Sequence, residues 1–155
     1  MHVRHFETRI ILRGKPHEVF PFFADAANLE RITPPELSFR IVTPMPIAMT
    51  EGALIDYKLK LFGIPFRWKT RIREWAPPQR FVDEQIRGPY RLWVHTHEFH
   101  ARPEGTLMID RVRYALPLYP LGEWAAPFIR MLLSWIFRYR ARTIVQWIPG
   151  ADPSR

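Results

Sequence analysis

From Trp93 to Tyr114 the chain alternates in two consecutive runs, and this pattern limits the possible folds more than any other. Trp93, His95, His97 and Phe99 lie two residues apart. Past a turn at Gly105, Thr106, Met108, Asp110, Val112 and Tyr114 do the same. Side chains two apart share one face of a strand. Two such runs joined by a glycine turn read as neighbouring antiparallel strands. Their shared face mixes aromatic rings, two imidazoles and a carboxylate. That mixture suits the wall of a small-molecule cavity better than a plain core.

The rest of the chain extends this reading. Phe6 to Leu12 predicts a first strand, broken by Gly14-Lys-Pro16. Pro16 opens a helix whose Val19, Phe20, Phe22 and Phe23 recur at helical spacing. A second short helix through Leu29 and Ile32 stops ahead of Pro34-Pro35. Strands follow at Phe39–Thr43, Leu54–Phe62 and Phe66–Arg73, then at Phe81–Gln85 and in the two runs above. Gly63-Ile-Pro65, Pro77-Pro78 and Gly88-Pro89 separate them. In Leu54–Phe62 the residues Ile55, Tyr57, Leu59 and Leu61 share a face, and so do Phe66, Trp68, Thr70 and Ile72 in the next strand. Alternation of this kind belongs to an antiparallel sheet with one covered face.

After Pro117 and Pro120, Leu121 to Trp147 predicts one helix of about 27 residues, roughly 40 Å long. Its expected apolar stripe is Ala125, Phe128, Leu132, Ile136, Tyr139 and Thr143, widened by Ile129 and Trp135. Residues 1–148 then form a single domain, and 149–155 a loose tail. The class is α+β, with an antiparallel sheet bent around a long C-terminal helix and space left between them.

Composition narrows the function. A chain of 155 residues with 47% apolar content can bury a real core. It has no Cys, so disulfides and thiolate chemistry are out, and a reducing, cytoplasmic setting is expected. The start has no apolar h-region, so no signal peptide is expected. No apolar run is long enough to span a membrane. The formal charge of +8 favours anionic partners. Aromatics reach 14% and fall on the expected inward faces, which suits a large flat or greasy ligand.

The segments Asn28–Pro35, Gly52–Tyr57, Arg80–Tyr90, Trp93–Phe99, Gly105–Asp110 and Ile136–Arg140 resemble the START-like, or SRPBCC, superfamily, which includes polyketide cyclases and lipid-transfer domains. The chain is most similar to a bacterial ligand-binding group within it, some of whose relatives are joined to a nucleotide-sugar epimerase-like domain. The resemblance covers almost the whole chain. It implies the helix-grip fold and an internal cavity.

Candidate site residues come from the strands. The turns put Asp83 roughly opposite His95, and Asp110 near His95 or His97. A carboxylate beside an imidazole fixes its tautomer and raises its pKa, as in a general base. A satisfied polar cluster that orders the sheet or binds a ligand oxygen is the simpler reading and is preferred. Tyr57, Phe66, Trp68, Phe81, Gln85, Trp93, Phe99, Met108, Tyr114, Phe128, Leu132 and Ile136 are expected to line a cavity of several hundred Å³, within the usual ~300–1,000 Å³ range. His95-Thr-His97 with Asp110 could also ligate a metal, but that spacing alone is a weak signal. No metal or cofactor is expected, and no Gly-rich nucleotide loop is present.

Lys58, Lys60, Arg67, Lys69, Arg71 and Arg73 alternate onto the outer sheet face. They read first as a solvated face, and second as a docking surface for anionic membrane or for a protein. Nucleic acid is not expected, because no aromatic platform shares that face. The Arg138–Arg142 run reads as a helix flank favoured by the macrodipole. The function expected is binding, transport or presentation of a hydrophobic or amphipathic small molecule. The alternative is a polyketide cyclase/dehydratase-type enzyme using His95, His97, Asp83 and Asp110.

Overall fold

The computed structural model describes residues 1–148; the expected tail at 149–155 lies outside them. The strands are β1 (Arg4–Leu12), β2 (Arg40–Ile41), β3 (Leu54–Leu61), β4 (Ile64–Ala76), β5 (Arg80–Arg87), β6 (Leu92–Arg102) and β7 (Gly105–Ala115). The helices are α1 (Pro16–Ala24), α2 (Ala27–Arg31) and α3 (Ala126–Trp147). All seven strands form one antiparallel sheet in the order β1-β7-β6-β5-β4-β3-β2. The order of elements is the one expected, and the fold is the helix-grip arrangement, with α3 against the inner face of the sheet.

Three clusters hold it together. Ile10, Phe20, Phe23, Phe81, Phe99, Met108 and Ile144 join β1 and α1 to β5, β6, β7 and the end of α3. Phe6, Val112, Tyr114, Ala126, Leu133 and Phe137 join the β1–β7 edge to the start and middle of α3. Ile55, Tyr57 and Ile72 cover the β3–β4 end. Large-to-small changes at such sites cost about 2–5 kcal/mol.

Local departures from the expected elements have local causes. The strand expected at Phe39–Thr43 shrinks to Arg40–Ile41. Pro44 and Pro46 have no N–H for a ladder, and the Thr43 hydroxyl accepts from the Asp56 N–H at 2.8 Å where a backbone carbonyl would otherwise do so. The β3–β4 turn is Phe62-Gly63 rather than Gly63-Ile-Pro65, since Leu61 pairs with Ile64. Both turn residues have positive φ, 52° and 75°, the signature of a type I′ hairpin. In β4 the register shifts between Ile72 and Glu74. This bulge swaps the inward parity, so Trp75 instead of an even-numbered residue packs on Phe20 and Phe81.

The C-terminal helix differs most. Leu121–Ala125 is a 3₁₀ turn, and the α-helix starts at Ala126 with 22 residues. The Pro127 ring would clash with the Glu123 carbonyl in a continuous α-helix. The buried side is Ala126, Leu132, Leu133, Phe137, Arg140, Thr143 and Ile144. The helix is therefore rotated relative to the expected stripe, and Phe128 is swung out to 41% exposure.

Candidate functional site

A cavity of about 210 Å³ lies between the inner sheet face and α3. It is smaller than the several hundred Å³ expected, because aromatic rings fill part of the space. Trp93 meets Trp68 edge-on at 5.3 Å and Tyr90 at 4.8 Å. Most of the wall is apolar: Leu59, Leu61, Phe66 and Trp68 from the β3–β4 hairpin, Leu132, Ile136 and Phe137 from α3, and Phe22, Leu29 and Ile32 from the short helices. Tyr57 and Tyr90 also line it, and burial pushes both hydroxyls well above their usual range, so both stay protonated donors.

Of the ligand-lining residues named from sequence, Tyr57, Phe66, Trp68, Phe81, Trp93, Leu132 and Ile136 face this cavity. Five do not. Phe99 and Met108 face inward but lie under α1, in the first core cluster. Tyr114 is buried in the second cluster, beneath α3. Gln85 latches the β5–β6 turn: its Nε2 donates to the Tyr90 carbonyl at 2.7 Å, and its Oε1 accepts from the Tyr90 N–H at 3.2 Å. Phe128 is carried outward by the rotation of α3.

One wall is polar. Asp83, His95, His97 and Arg140 line the cavity together. The β5–β6 register sets Asp83 opposite His95 and Phe81 opposite His97. The β6–β7 register sets His97 opposite Asp110. The hydrogen bonds run diagonally: His95 Nε2 to Asp110 Oδ1 at 2.7 Å, and His97 Nε2 to Asp83 Oδ2 at 2.7 Å. His97 Nδ1 is 3.1 Å from Asp110 Oδ1 but has no hydrogen-bond partner. The imidazoles stack on each other at 3.7 Å, and His97 stacks on Phe81 at 4.0 Å. Asp110 lies behind the imidazoles and not on the cavity wall, so it acts on a ligand only through them.

Arg140 completes the wall and was not among the expected site residues. It is only 8% exposed. Its Nη2 is 3.7 Å from Asp110 Oδ1, too far for a hydrogen bond, and its Nε has no partner among the described residues. The Arg138–Arg142 run is thus not uniformly a solvated flank: Arg138 and Arg142 are exposed, while Arg140 points inward. Its spacing from Leu133, Phe137 and Ile144 was the available signal.

The charges distribute unevenly. At Asp110 burial acts to raise the pKa, but the Arg140 cation, the His95 hydrogen bond and the close His97 ring outweigh it and hold the carboxyl well below its usual range. Asp83 is also lowered: burial opposes, while the His97 bond and the nearby cations prevail. At His97 burial again opposes, but the two carboxylates hold its pKa up. His95 goes the other way, lowered by burial and by its neighbour His97. The cluster therefore sets two carboxylates and one guanidinium around two imidazoles whose pKa values shift in opposite directions. Asp110 accepts the hydrogen bond donated by His95 Nε2–H, which leaves Nδ1 as a base or acceptor when the ring is neutral.

Among the described residues, Asp83, His95 and His97 could converge on a metal ion, each with one ligand atom within 4.8 Å of the others. The third member is Asp83, where the sequence alone offers Asp110 as a weak candidate. A cation there would displace the His97–Asp83 hydrogen bond and meet the field of Arg140. On the outer sheet face, Lys69 pairs with Asp56, while Arg71 and Arg73 pair with Glu84. Three of the six expected cations are therefore paired, with Arg71 and Arg73 sharing one carboxylate. No helix of the described residues is long and apolar enough to cross a membrane.

Comparison with known proteins agrees with this architecture. No curated protein sequence matches the chain. A Thermus thermophilus protein, TTHA0849, superposes with a TM-score of 0.72 at 16% identity, over 95% of this chain and 97% of that one. The di-domain ARO/CYC StfQ from the steffimycin biosynthetic pathway gives 0.72 at 18% identity, over 91% of this chain and 49% of that one. The major latex-like protein 151 of Panax ginseng gives 0.61 at 12% identity, over 88% and 94%. These likenesses carry the fold. A family profile described as polyketide cyclase / dehydrase and lipid transport matches residues 13–146. With nearly the whole domain inside that match, the chain belongs to the polyketide cyclase/dehydrase and lipid transport family.

Proposed function

We propose that the protein binds a compact amphipathic molecule, its polar end on Arg140, His97 and His95 and its apolar body against Phe66, Trp68 and Ile136. The observation that carries this reading is Arg140. A guanidinium cation removed from water, with an unpartnered Nε, stands at a mostly apolar cavity beside His95 and His97. A buried polar group left without a hydrogen bond costs about 1–3 kcal/mol, more when charged. A ligand oxygen would supply the missing acceptor. The volume suits one or two rings, since about 150 Å³ of apolar cavity admits a benzene ring. Tyr57 and Tyr90 add neutral donors. A role in carrying or presenting such a molecule, in a cytoplasmic setting, fits the family's breadth.

The test is native mass spectrometry of protein purified from its own host, which would reveal a co-purified ligand. Arg140→Met should then lower its occupancy, and a ligand retained undiminished by Arg140→Met would remove the reading.

A second reading is acid–base catalysis of the cyclase type, favoured by one observation. The pKa of His95 is lowered by burial and by His97, and its Nε2 hydrogen-bonds to Asp110. StfQ is a di-domain ARO/CYC, and the shared fold lends this reading support. With a bound substrate in hand, His95→Ala separates the two. Lost turnover at unchanged affinity supports catalysis, and weakened binding with no reaction to lose supports capture alone.

A further inference from the structure

The β3–β4 hairpin and the start of α3 leave large side chains in solvent that neither the core nor the cavity uses. Phe62 at the hairpin tip is 71% exposed, and Ile64 beside it is exposed too. The Phe62 ring meets that of Phe128 on α3 at 5.3 Å. From Phe128 the surface continues through Met131 and, on the preceding turn, Trp124 and Leu121. These fall three and four residues apart, and Trp124 reaches 88% exposure. Scattered exposed apolar residues are ordinary, but a contiguous set marks an interaction surface.

Two features say what covers it. The first is backbone conformation. Phe62 holds φ at 52°, in a turn that favours Asn, Asp or Gly. A bulky residue rarely adopts this conformation, and folding alone does not call for it there. The second is charge. Lys58, Lys60 and Arg67 stand on the outer face of the same hairpin, with Lys58 directly opposite Arg67. All three are exposed and, among the described residues, none makes an ion pair. Three of the outer face's unpaired cations thus stand beside the apolar tip.

We propose that this end of the molecule docks on an anionic lipid bilayer. Phe62, Ile64, Trp124 and Met131 enter the headgroup–acyl boundary, and Lys58, Lys60 and Arg67 contact lipid phosphates. An apolar tip beside unpaired cations complements a surface that is anionic outside and apolar within. Tryptophan prefers that boundary. A second copy fits less well, because two-fold pairing would set both cationic groups against each other. The same hairpin gives Leu59, Leu61 and Phe66 to the cavity, so docking would bring the cavity's apolar wall close to the bilayer. That consequence rests on the cavity reading above; docking itself does not.

The test is co-sedimentation of the full chain with vesicles of phosphatidylcholine alone or with roughly 30% phosphatidylglycerol. Sedimentation is expected with the anionic vesicles at roughly 50 mM salt, falling steeply toward 500 mM. Phe62→Asp with Trp124→Asp should weaken it by at least about tenfold. Each of Lys58→Glu, Lys60→Glu and Arg67→Glu should weaken it by about fivefold or more. All five residues are exposed, so melting temperature and cavity-ligand binding in solution should survive. Retained ligand binding with lost vesicle binding would support docking independently of the cavity reading. Failure to sediment at low salt would overturn it, and so would sedimentation unchanged in the double variant. A wild-type dimer that Trp124→Asp converts to monomer would assign the face to a second copy instead.

Discussion

Asp83 stands directly opposite His95 in the β5–β6 ladder, yet it accepts its hydrogen bond from His97, two residues further along. Asp110 mirrors it, standing opposite His97 and bonding to His95. Diagonal neighbours on adjacent strands lie about 7–8 Å apart at Cα, a gap that an imidazole and a carboxylate together bridge. The crossing draws the two rings into face contact and gives each its own carboxylate. The rings are neighbours on one strand, yet their pKa values shift in opposite directions, His97 up and His95 down.

Asp110 is the anchor of this arrangement. Asp110→Asn should cost about 1–3 kcal/mol near neutral pH, measured by urea denaturation. Its pKa is lowered by folding, so its stabilisation is present above the usual carboxylate value near 3.8 and is lost as pH falls through the folded value. The wild-type and variant curves should accordingly converge in acid. A penalty that stays constant down to about pH 2 would mean that packing, not charge, is what Asp110 supplies.

The pH dependence of His97 has the opposite sign. Folding raises its pKa, so its contribution is fully present below the unfolded value near 6.5 and is lost as pH rises through the folded value. His97→Gln should therefore be more costly at about pH 6 than at about pH 9. His95 is lowered by folding, so the unfolded chain takes up its proton first below that same value, and this works against stability in mild acid. Imidazole chemical shifts should show His97 protonated and His95 neutral near pH 6.5; the reverse order would invert the proposed roles.

Strand parity explains why the sheet half of the site was legible from sequence. A period of two leaves only two faces, and the Gly and Pro turns set the offsets between neighbours. That is enough to bring Tyr57, Trp68, Phe81, Asp83, Trp93, His95 and His97 to one wall. The helix half was not legible in the same way. Around Phe128, Ile129, Met131, Leu132, Leu133, Trp135, Ile136 and Phe137 the helix is apolar nearly all round, so hydrophobicity alone does not fix its rotation. One apolar side is buried and another faces solvent, and Arg140 was assigned to the polar flank by its charge. The bulge at Ile72–Glu74 has no marker in the local residues either.

Arg140 should separate stability from function. Its ion pair with Asp110 is long, at 3.7 Å, and desolvation offsets much of what such a pair gains. Because His95 and His97 still face Asp110, Arg140→Met should cost the ligand-free protein less than the ~3–5 kcal/mol of a broken buried pair, while affinity for a cavity ligand bearing an oxygen acceptor falls by roughly tenfold or more. Arg140→Lys should recover only part of that affinity, since an ammonium lacks the planar fork. A stability loss of about 3–5 kcal/mol in Arg140→Met would make the residue a structural counter-ion for Asp110.

Phe62 gives the opposite separation at the surface. Its φ of 52° suits Asn far better than Phe, and Asn followed by Gly63 is the preferred pair for a type I′ turn. Relief of that conformation is worth about 1 kcal/mol. Against it stands the Phe62–Phe128 ring contact, made by two exposed side chains and so worth less than a buried pair. Phe62→Asn should thus raise the melting temperature by about 2–4 °C and at the same time weaken binding to anionic vesicles. The two effects have opposite signs because the wild-type residue is kept for contact and not for folding. A lower melting temperature in Phe62→Asn would show that the hairpin tip is held on α3 for stability, and the exposed aromatic would then need no membrane to explain it.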